Sequence, residues 1–303
     1  MTRNDAPVVV LDSGLGGLTV VQALHAVLPY ERIAYFGDTA RLPYGSKTPA
    51  TVTLFVKQII HYLEPLQPKH VVIACNTASA LALHAVQEEF PDLPITGVIE
   101  PGAKAAVAAL PAGAPPVVGV IATEATIRSR AYVTAILKLR PDAKVITRAT
   151  PLLVAIIEEG RRSDDPLVRL CIQQYLGAIL EQRPSALVLG CTHYPILRSL
   201  ICEVVGRHVN VIDSAAQCAQ DVREHLEERG LLREMSYDIM EGIRPADQPP
   251  IDAPVESWLQ CYVTDDSPRF AMLASRFLGI NVLPPELVSP DSLYANATAD
   301  ALR

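Results

Sequence analysis

The sequence has no CxxC pair, and its six cysteines are spread over 303 residues. This spacing argues against both a disulfide scaffold and a zinc ribbon, and points to free thiols in a reducing compartment. A basic excess is also missing. The net charge is -7 and the isoelectric point about 5.5, so there is no electrostatic footprint for nucleic acid or an anionic membrane surface. No apolar run reaches the roughly 20 residues that a membrane-spanning helix needs; even 71–86 is interrupted by Asn76, Thr77, Ser79 and His84. The first apolar run, Pro7 to Leu11, stops at Asp12-Ser13-Gly14, too short for a secretory signal. The expectation is a cytoplasmic protein with a small-molecule partner, no nucleic acid and no membrane association. Half of the residues are apolar and 19% charged, a globular composition, and the length suggests two domains.

What the chain does have is a pair of related stretches. VVIACNTAS (Val71 to Ser79) and LVLGCTHYP (Leu187 to Pro195) each run from an uninterrupted apolar segment to a small residue, a cysteine, and then hydroxyl or amide side chains. Each reads as a buried strand that delivers a thiol to its C-terminal end. Around them, strand-like runs at 8–11, 33–36, 71–74 and 95–99 alternate with helical patterns. After Pro115-Pro116 the pattern restarts at 117–121, 144–147, 187–190 and 209–212. Strands alternating with helices predict an α/β fold with parallel sheets.

Matching strand ends pairs Asp12 with Ala122, Cys75 with Cys191, and Glu100 with Asp213, at offsets of 110, 116 and 113. The near-constant spacing reads as an internal duplication. The expected architecture is two pseudo-symmetric doubly wound units, with Cys75 and Cys191 on opposite walls of one cleft. The expected boundaries are 1–99 plus 213–287 for the first, discontinuous domain, 100–212 for the second, and a loose tail over 288–303. In the first, a polar Pro-rich connector around Pro245 to Pro254 precedes the strand-like run LQCYV and a helix through Phe270 and Phe277. Cys171, Cys202, Cys218 and Cys261 read as core filler.

In open α/β sheets, ligands sit beyond the carboxyl ends of the strands, which makes Asp12, Ser13, Asp38, Tyr44, Cys75, Asn76, Thr77, Glu100, Thr123, Glu158, Cys191, Thr192 and His193 the candidates. Taken one at a time, most have an ordinary reading: Asp12 and Ser13 as turn and cap residues, Glu158 as a solvated charge, His193 as a satisfied core histidine, Tyr44 as a loop tyrosine. The paired thiols are harder to set aside. A cysteine between a buried strand and a helix N-terminus is expected to favour the thiolate. Two such groups with different neighbours, Asp12's strand near one and His193 beside the other, suit the removal of a hydrogen from one face of a carbon and its return on the other.

Competing readings explain less. Gly14-Leu-Gly16-Gly17-Leu-Thr19 resembles a dinucleotide fingerprint, but Thr19 stands where the third glycine belongs. No P-loop is present. All six lysines lie at or before Lys144, none in a compelling position for a Schiff base. Residue types alone leave open a zinc site on Cys75, Cys191 and His193, although the spacing matches no usual frame. A Cys-His hydrolase would use only one of the two thiols.

Taken in order, VLDSGLGG, GDTARLPYGSKT, ACNTAS, GVIEPG and LGCTHYP resemble the glutamate racemases, cofactor-independent enzymes of the aspartate/glutamate racemase superfamily, over about residues 1 to 280. The resemblance implies two α/β domains with the site between them, no cofactor or metal, glutamate as substrate, and a role in supplying D-glutamate for peptidoglycan. It implies that Cys75 and Cys191 exchange the α-hydrogen on opposite faces, Asp12 assisting Cys75 while His193 with Glu158 assists Cys191. Ser13, Tyr44, Gly45, Asn76, Thr77, Thr192 and His193, with Asp12, match substrate-holding positions. The resemblance is compatible with a homodimer. Ala122 stands where glycine is usual and Thr150 where cysteine is common. The first strand begins close to the N-terminus, so the N-terminal extension tied to activation by a cell-wall precursor in some relatives is not expected. The alternatives are an aspartate or other amino-acid racemase of the superfamily, and a non-catalytic two-domain protein that binds an acidic amino acid.

Overall fold

A computed structural model describes residues 3–111, 116–233, 255–265 and 270–294. The expected connector at 245–254 lies outside them. Strands β1 (Val8–Asp12), β2 (Ile33–Gly37), β3 (His70–Ile73) and β4 (Ile95–Gly97) alternate with helices α1 (Leu18–Val27), α2 (Pro49–Leu63) and α3 (Asn76–Glu89). Helix α4 (Ile99–Ala108) leads to β5 (Val117–Ala122), α5 (Glu124–Ser129), α6 (Ala131–Leu139), β6 (Lys144–Ala149), α7 (Pro151–Glu158) and α8 (Pro166–Leu180). Then come β7 (Ala186–Gly190), α9 (Arg198–Val205), β8 (Asn210–Ile212), α10 (Ala215–Glu228), β9 (Leu259–Val263), α11 (Phe270–Leu278) and β10 (Glu286–Leu287).

The strands form two sheets, ordered β10-β9-β2-β1-β3-β4 and β6-β5-β7-β8, and every pair is parallel. The four strands of the second sheet repeat the order of β2-β1-β3-β4 in the first. The duplication inferred from spacing is therefore matched by topology: β1 and β5 hold the same central place, and so do β3 and β7. The C-terminal segment returns to the first sheet, where β9 pairs with β2 from Ile33↔Leu259 to Gly37↔Val263.

Burial follows the apolar runs. β1, β2, β3 and β7 are buried along their whole lengths, as strands covered by helices on both faces must be. One core cluster joins α1, α10 and α11 to α7, α8 and α9, so apolar packing is continuous between the two sheets. Helix α2 starts as the sequence suggests, with Thr48 Oγ1 accepting from Thr51 N at 3.3 Å and Pro49 in the first turn. A buried ion pair, Lys69 with Glu31 at 2.5 Å, ties β3 to the N-terminal segment and to the chain after α10 through Lys69 Nζ donating to Asn4 O and Leu231 O.

Three expectations change. The strand read over 95–99 stops at Gly97, because the Ser79 hydroxyl accepts the N–H of Val98 at 3.1 Å and the chain turns into α4. Pro101 is tolerated there because it lies in the first helical turn. Glu100 consequently points to solvent on α4 and is not at the cleft. Residues 288–294 are not loose, since Val288 and Leu293 are buried in the core cluster under α2 and α3. Cys202 is exposed instead of filling the core, while Cys218 and Cys261 are buried.

Candidate active site

Both cysteines stand at equivalent strand ends. Cys75 follows β3 and occupies the N-cap position of α3, and Cys191 follows β7. They are 6% and 7% exposed, so each is reached only through the cavity that both line. The space inside this cavity is small, about 30 Å³. Ser13, Tyr44, Gly45, Asn76, Thr77, Glu158, Thr192 and His193 line it too, as do Thr123, Gly14, Leu42, Pro43, Val154 and Gly190. Leu42-Pro43 is a cis peptide bond.

The environments of the two thiols differ. The Cys75 Sγ–H donates to Ser13 Oγ at 3.5 Å. Burial, reinforced by the charge of Asp12, pushes this thiol up to about 12, despite the Ser13 hydroxyl and the Ala78 N–H acting the other way. The expected helix-terminus thiolate is therefore reversed at Cys75: desolvation outweighs the dipole, and the group rests as a neutral thiol. At the second wall, His193 Nδ1 lies 3.8 Å from Cys191 Sγ, and its Nε2 lies 3.1 Å from Glu158 Oε1. Burial would lower the His193 pKa, but the hydrogen bonds and charges of Cys191 and Glu158 outweigh it and lift it to about 10. With both ring nitrogens protonated, the imidazolium donates to the sulfur and to the carboxylate.

Asp12, at the end of β1, is buried beneath the site. Its carboxylate accepts from Gly14 N at 3.0 Å and from Thr192 Oγ1 at 3.3 Å. Burial raises its pKa, partly offset by the positive charge of His193 and by the N–H groups of Gly14 and Gly17. Ordinary roles coexist with special ones here: Asp12 does close its own turn, as its isolated reading proposes.

Gly16 and Gly45 have a steric purpose. A Cβ on Gly16 would lie 2.4 Å from Thr192 Oγ1 and 2.6 Å from His193 Nδ1. On Gly45 it would lie 2.7 Å from Thr123 Cβ. These two glycines let the loops of the first sheet press against those of the second, which accounts for Gly16 without a dinucleotide.

Two predicted residues are oriented in ways the sequence does not reveal. The Tyr44 hydroxyl donates to Asp38, away from the cavity. Asp38 is fully buried and also binds Arg41 Nε at 2.7 Å and Thr264 Oγ1 at 3.0 Å, so it supports the cavity wall from behind. Asn76 Oδ1 accepts from Tyr132 of α6 at 2.6 Å. Thr77 Oγ1 lies 2.9 Å from that of Thr123 and 3.2 Å from that of Thr126, forming a hydroxyl cluster across the two units. Tyr132 and Thr126 are missed from sequence because each is an ordinary helical residue locally. Leu42 and Pro43, which also line the cavity, lie inside the GDTARLPYGSKT stretch. Among the described residues, no group of three or more His, Cys, Asp or Glu is placed to hold a metal ion.

The family model described as Asp/Glu/Hydantoin racemase matches residues 18–222. The chain belongs to this racemase family. The family match spans both thiol strands. Among relatives, the racemase chain is 44% identical to a glutamate racemase of Chlorobaculum tepidum, over 81% of its own length and 89% of that protein. It is 40% identical to a glutamate racemase of Neisseria meningitidis, covering 93% of this chain and 96% of the relative. A crystal structure of glutamate racemase from Francisella tularensis in complex with D-glutamate superposes with a TM-score of 0.81 at 36% identity, covering 95% of this chain and 99% of that one. The two-sheet α/β racemase architecture is thus shared along nearly the whole chain.

Proposed function

We propose that this racemase interconverts L- and D-glutamate by exchanging the α-hydrogen between two thiols, without a cofactor. The observation that carries the reading is the pair of buried cysteines at equivalent strand ends, opening onto one cavity. One sulfur, as thiolate, takes the proton from Cα. The other, as thiol, delivers a proton to the opposite face, so the configuration inverts and the net proton count of the pair is unchanged.

The resting site is unsymmetrical. Cys75 holds its proton, while Cys191 sits beside the charged His193. This suits the enantiomer whose Cα–H faces Cys191, with Cys75 as acid. The opposite enantiomer requires Cys75 to act as base; in this reading Asp12, whose charge acts on Cys75, assists it, while His193 held by Glu158 supports Cys191. The α-hydrogen of an amino acid is only weakly acidic. Backbone N–H groups following Cys75 and Cys191, in a cavity closed to water, would stabilise the developing negative charge. Ser13, Tyr44, Gly45, Asn76, Thr77 and Thr192 would hold the substrate's amino and carboxylate groups.

In this reading the units are 1–99 with 213–287, and 100–212, and the D-glutamate formed in the cytoplasm serves peptidoglycan synthesis. Among the described residues no helix is long and apolar enough to cross a membrane. Incubation with either glutamate enantiomer in deuterated water, without pyridoxal phosphate, is expected to place deuterium at Cα; absence of exchange would sink the proposal. Comparison of kcat/KM for glutamate and aspartate separates this reading from an aspartate racemase.

A further inference from the structure

Helix α11 belongs to the segment that returns to the first sheet, yet it reaches the acid/base group of the second. Its face of Phe270, Leu273, Ala274, Phe277 and Leu278 is buried in the core shared between the sheets. Gln22 Nε2 of α1 donates to Leu278 O at 2.9 Å, which anchors α11 to the first unit. Arg276 Nη2 donates to Arg161 O at 3.1 Å, just beyond the end of α7. Met272 lies over Gly160, whose φ of +84° suits glycine. The carrier of Glu158 is therefore clasped from outside by α11.

The decisive contact is with His193. The Phe277 ring meets the imidazole nearly perpendicularly, at 81° with centroids 5.4 Å apart. His193 has to present one nitrogen to Cys191 and the other to Glu158 at once. A single rotation of the ring breaks both contacts together. An aromatic plane packed against the imidazole restricts that rotation, in a way an aliphatic side chain of similar volume cannot.

We infer that Phe277 is a positioning residue for the Cys191 half-reaction, holding His193 in line with Cys191 and Glu158 from the opposite unit. Phe277 touches no reacting atom; it acts through His193, and its role rests on the two-thiol reading. α11 thus meets the site on the Cys191 side, whereas Cys75 has Ser13 at its sulfur.

The test compares the parent with Phe277→Leu and Phe277→Met, using Phe270→Leu on the same helix and in the same core as the control. Because the two enantiomers have equal free energy, kcat/KM must fall equally in both directions, so the selective signal is isotopic. Both Phe277 variants are expected to lower kcat about tenfold or more, as misplacement of a catalytic group does. The α-deuterium effect should rise for the enantiomer whose hydrogen Cys191 removes and decrease for the other. Phe270→Leu is expected to lower thermal stability while leaving both isotope effects unaltered. NMR of the His193 imidazole nitrogens should show shifts in the Phe277 variants and none in Phe270→Leu. Unchanged His193 signals and unchanged isotope effects in a folded Phe277 variant overturn the inference, as does the same isotopic asymmetry in Phe270→Leu. A parent that does not racemise glutamate overturns the underlying reading instead, and the NMR comparison still decides whether Phe277 orients His193.

Discussion

Thr192 Oγ1 donates to Asp12 Oδ1 across 3.3 Å, so the residue next to one thiol is hydrogen-bonded to the carboxylate whose charge acts on the other. The two halves of the site are consequently not independent. Asp12 feels the charge of His193 and imposes its own on Cys75. A change of protonation at one wall is transmitted to the other through a buried, low-dielectric connection.

Replacement of either sulfur should stop inversion, because each face of Cα has only one of them. Cys75→Ala and Cys191→Ala are each expected to reduce racemisation by at least about a thousandfold, within the range spanned by general acid–base groups. Polarimetry with purified, folded variants measures it. A single variant with substantial activity would refute the two-thiol scheme.

Close approach of the loops should be as important as the chemistry they carry. The Cβ introduced by Gly16→Ala falls 2.4 Å from Thr192 Oγ1 and 2.6 Å from His193 Nδ1, distances that cannot be accommodated without displacement. Displacement of His193 on the order of 1 Å should lower kcat/KM by about a hundredfold. The circular dichroism spectrum should stay close to the parent's, since Gly16 lies before α1 and outside the sheets. Parent-like kinetics would show that the loops do not need this contact.

Stability should carry the signature of His193. Its pKa is raised to about 10 in the folded protein against an ordinary value of 6.5. The stabilisation is therefore fully present below about pH 6.5 and declines as pH rises toward about 10, where the folded form releases the proton. Urea titrations across this window, compared between the parent and His193→Gln, isolate the contribution. The variant's profile should be flatter; equal slopes would mean that the proton is not held as described.

Behind the cavity, Asp38 is expected to be a structural linchpin. Its carboxylate binds Arg41, the Tyr44 hydroxyl and Thr264, and it is fully buried. Asp38→Asn leaves the Arg41 guanidinium, which is stacked 4.1 Å above Phe55, without its counter-charge. Loss of one partner from a buried pair costs about 3 kcal/mol or more. Chemical denaturation should register that loss, together with a raised KM as the Pro43–Gly45 wall loosens. A loss well under this size would place Asp38 outside the support of the wall.

Much of this protein is legible in its residues taken in order. Uninterrupted apolar runs such as Val8 to Leu11 and Leu187 to Gly190 must be covered on both faces, and their alternation with amphipathic helices leaves a parallel sheet as the arrangement that buries them. The matched cysteines after two such runs marked the site, and the repeat of four strands placed the two halves in correspondence. Glu100 was misplaced because the end of β4 depends on Ser79, a residue 19 positions away that captures the N–H of Val98.

Sequence periodicity reports which face of an element is apolar, and local chemistry reports what a strand end can do. Those two signals determined the α/β class, the duplicated strands and the pair of thiols. Only the tertiary structure decided the protonation of Cys75, because desolvation there depends on everything packed around it. It also decided that Tyr44 turns its hydroxyl to Asp38, that Tyr132 reaches Asn76, and that Phe277 lies against His193. Each of these joins elements distant in the chain, and no local pattern encodes a contact whose partner is set by the packing of two sheets.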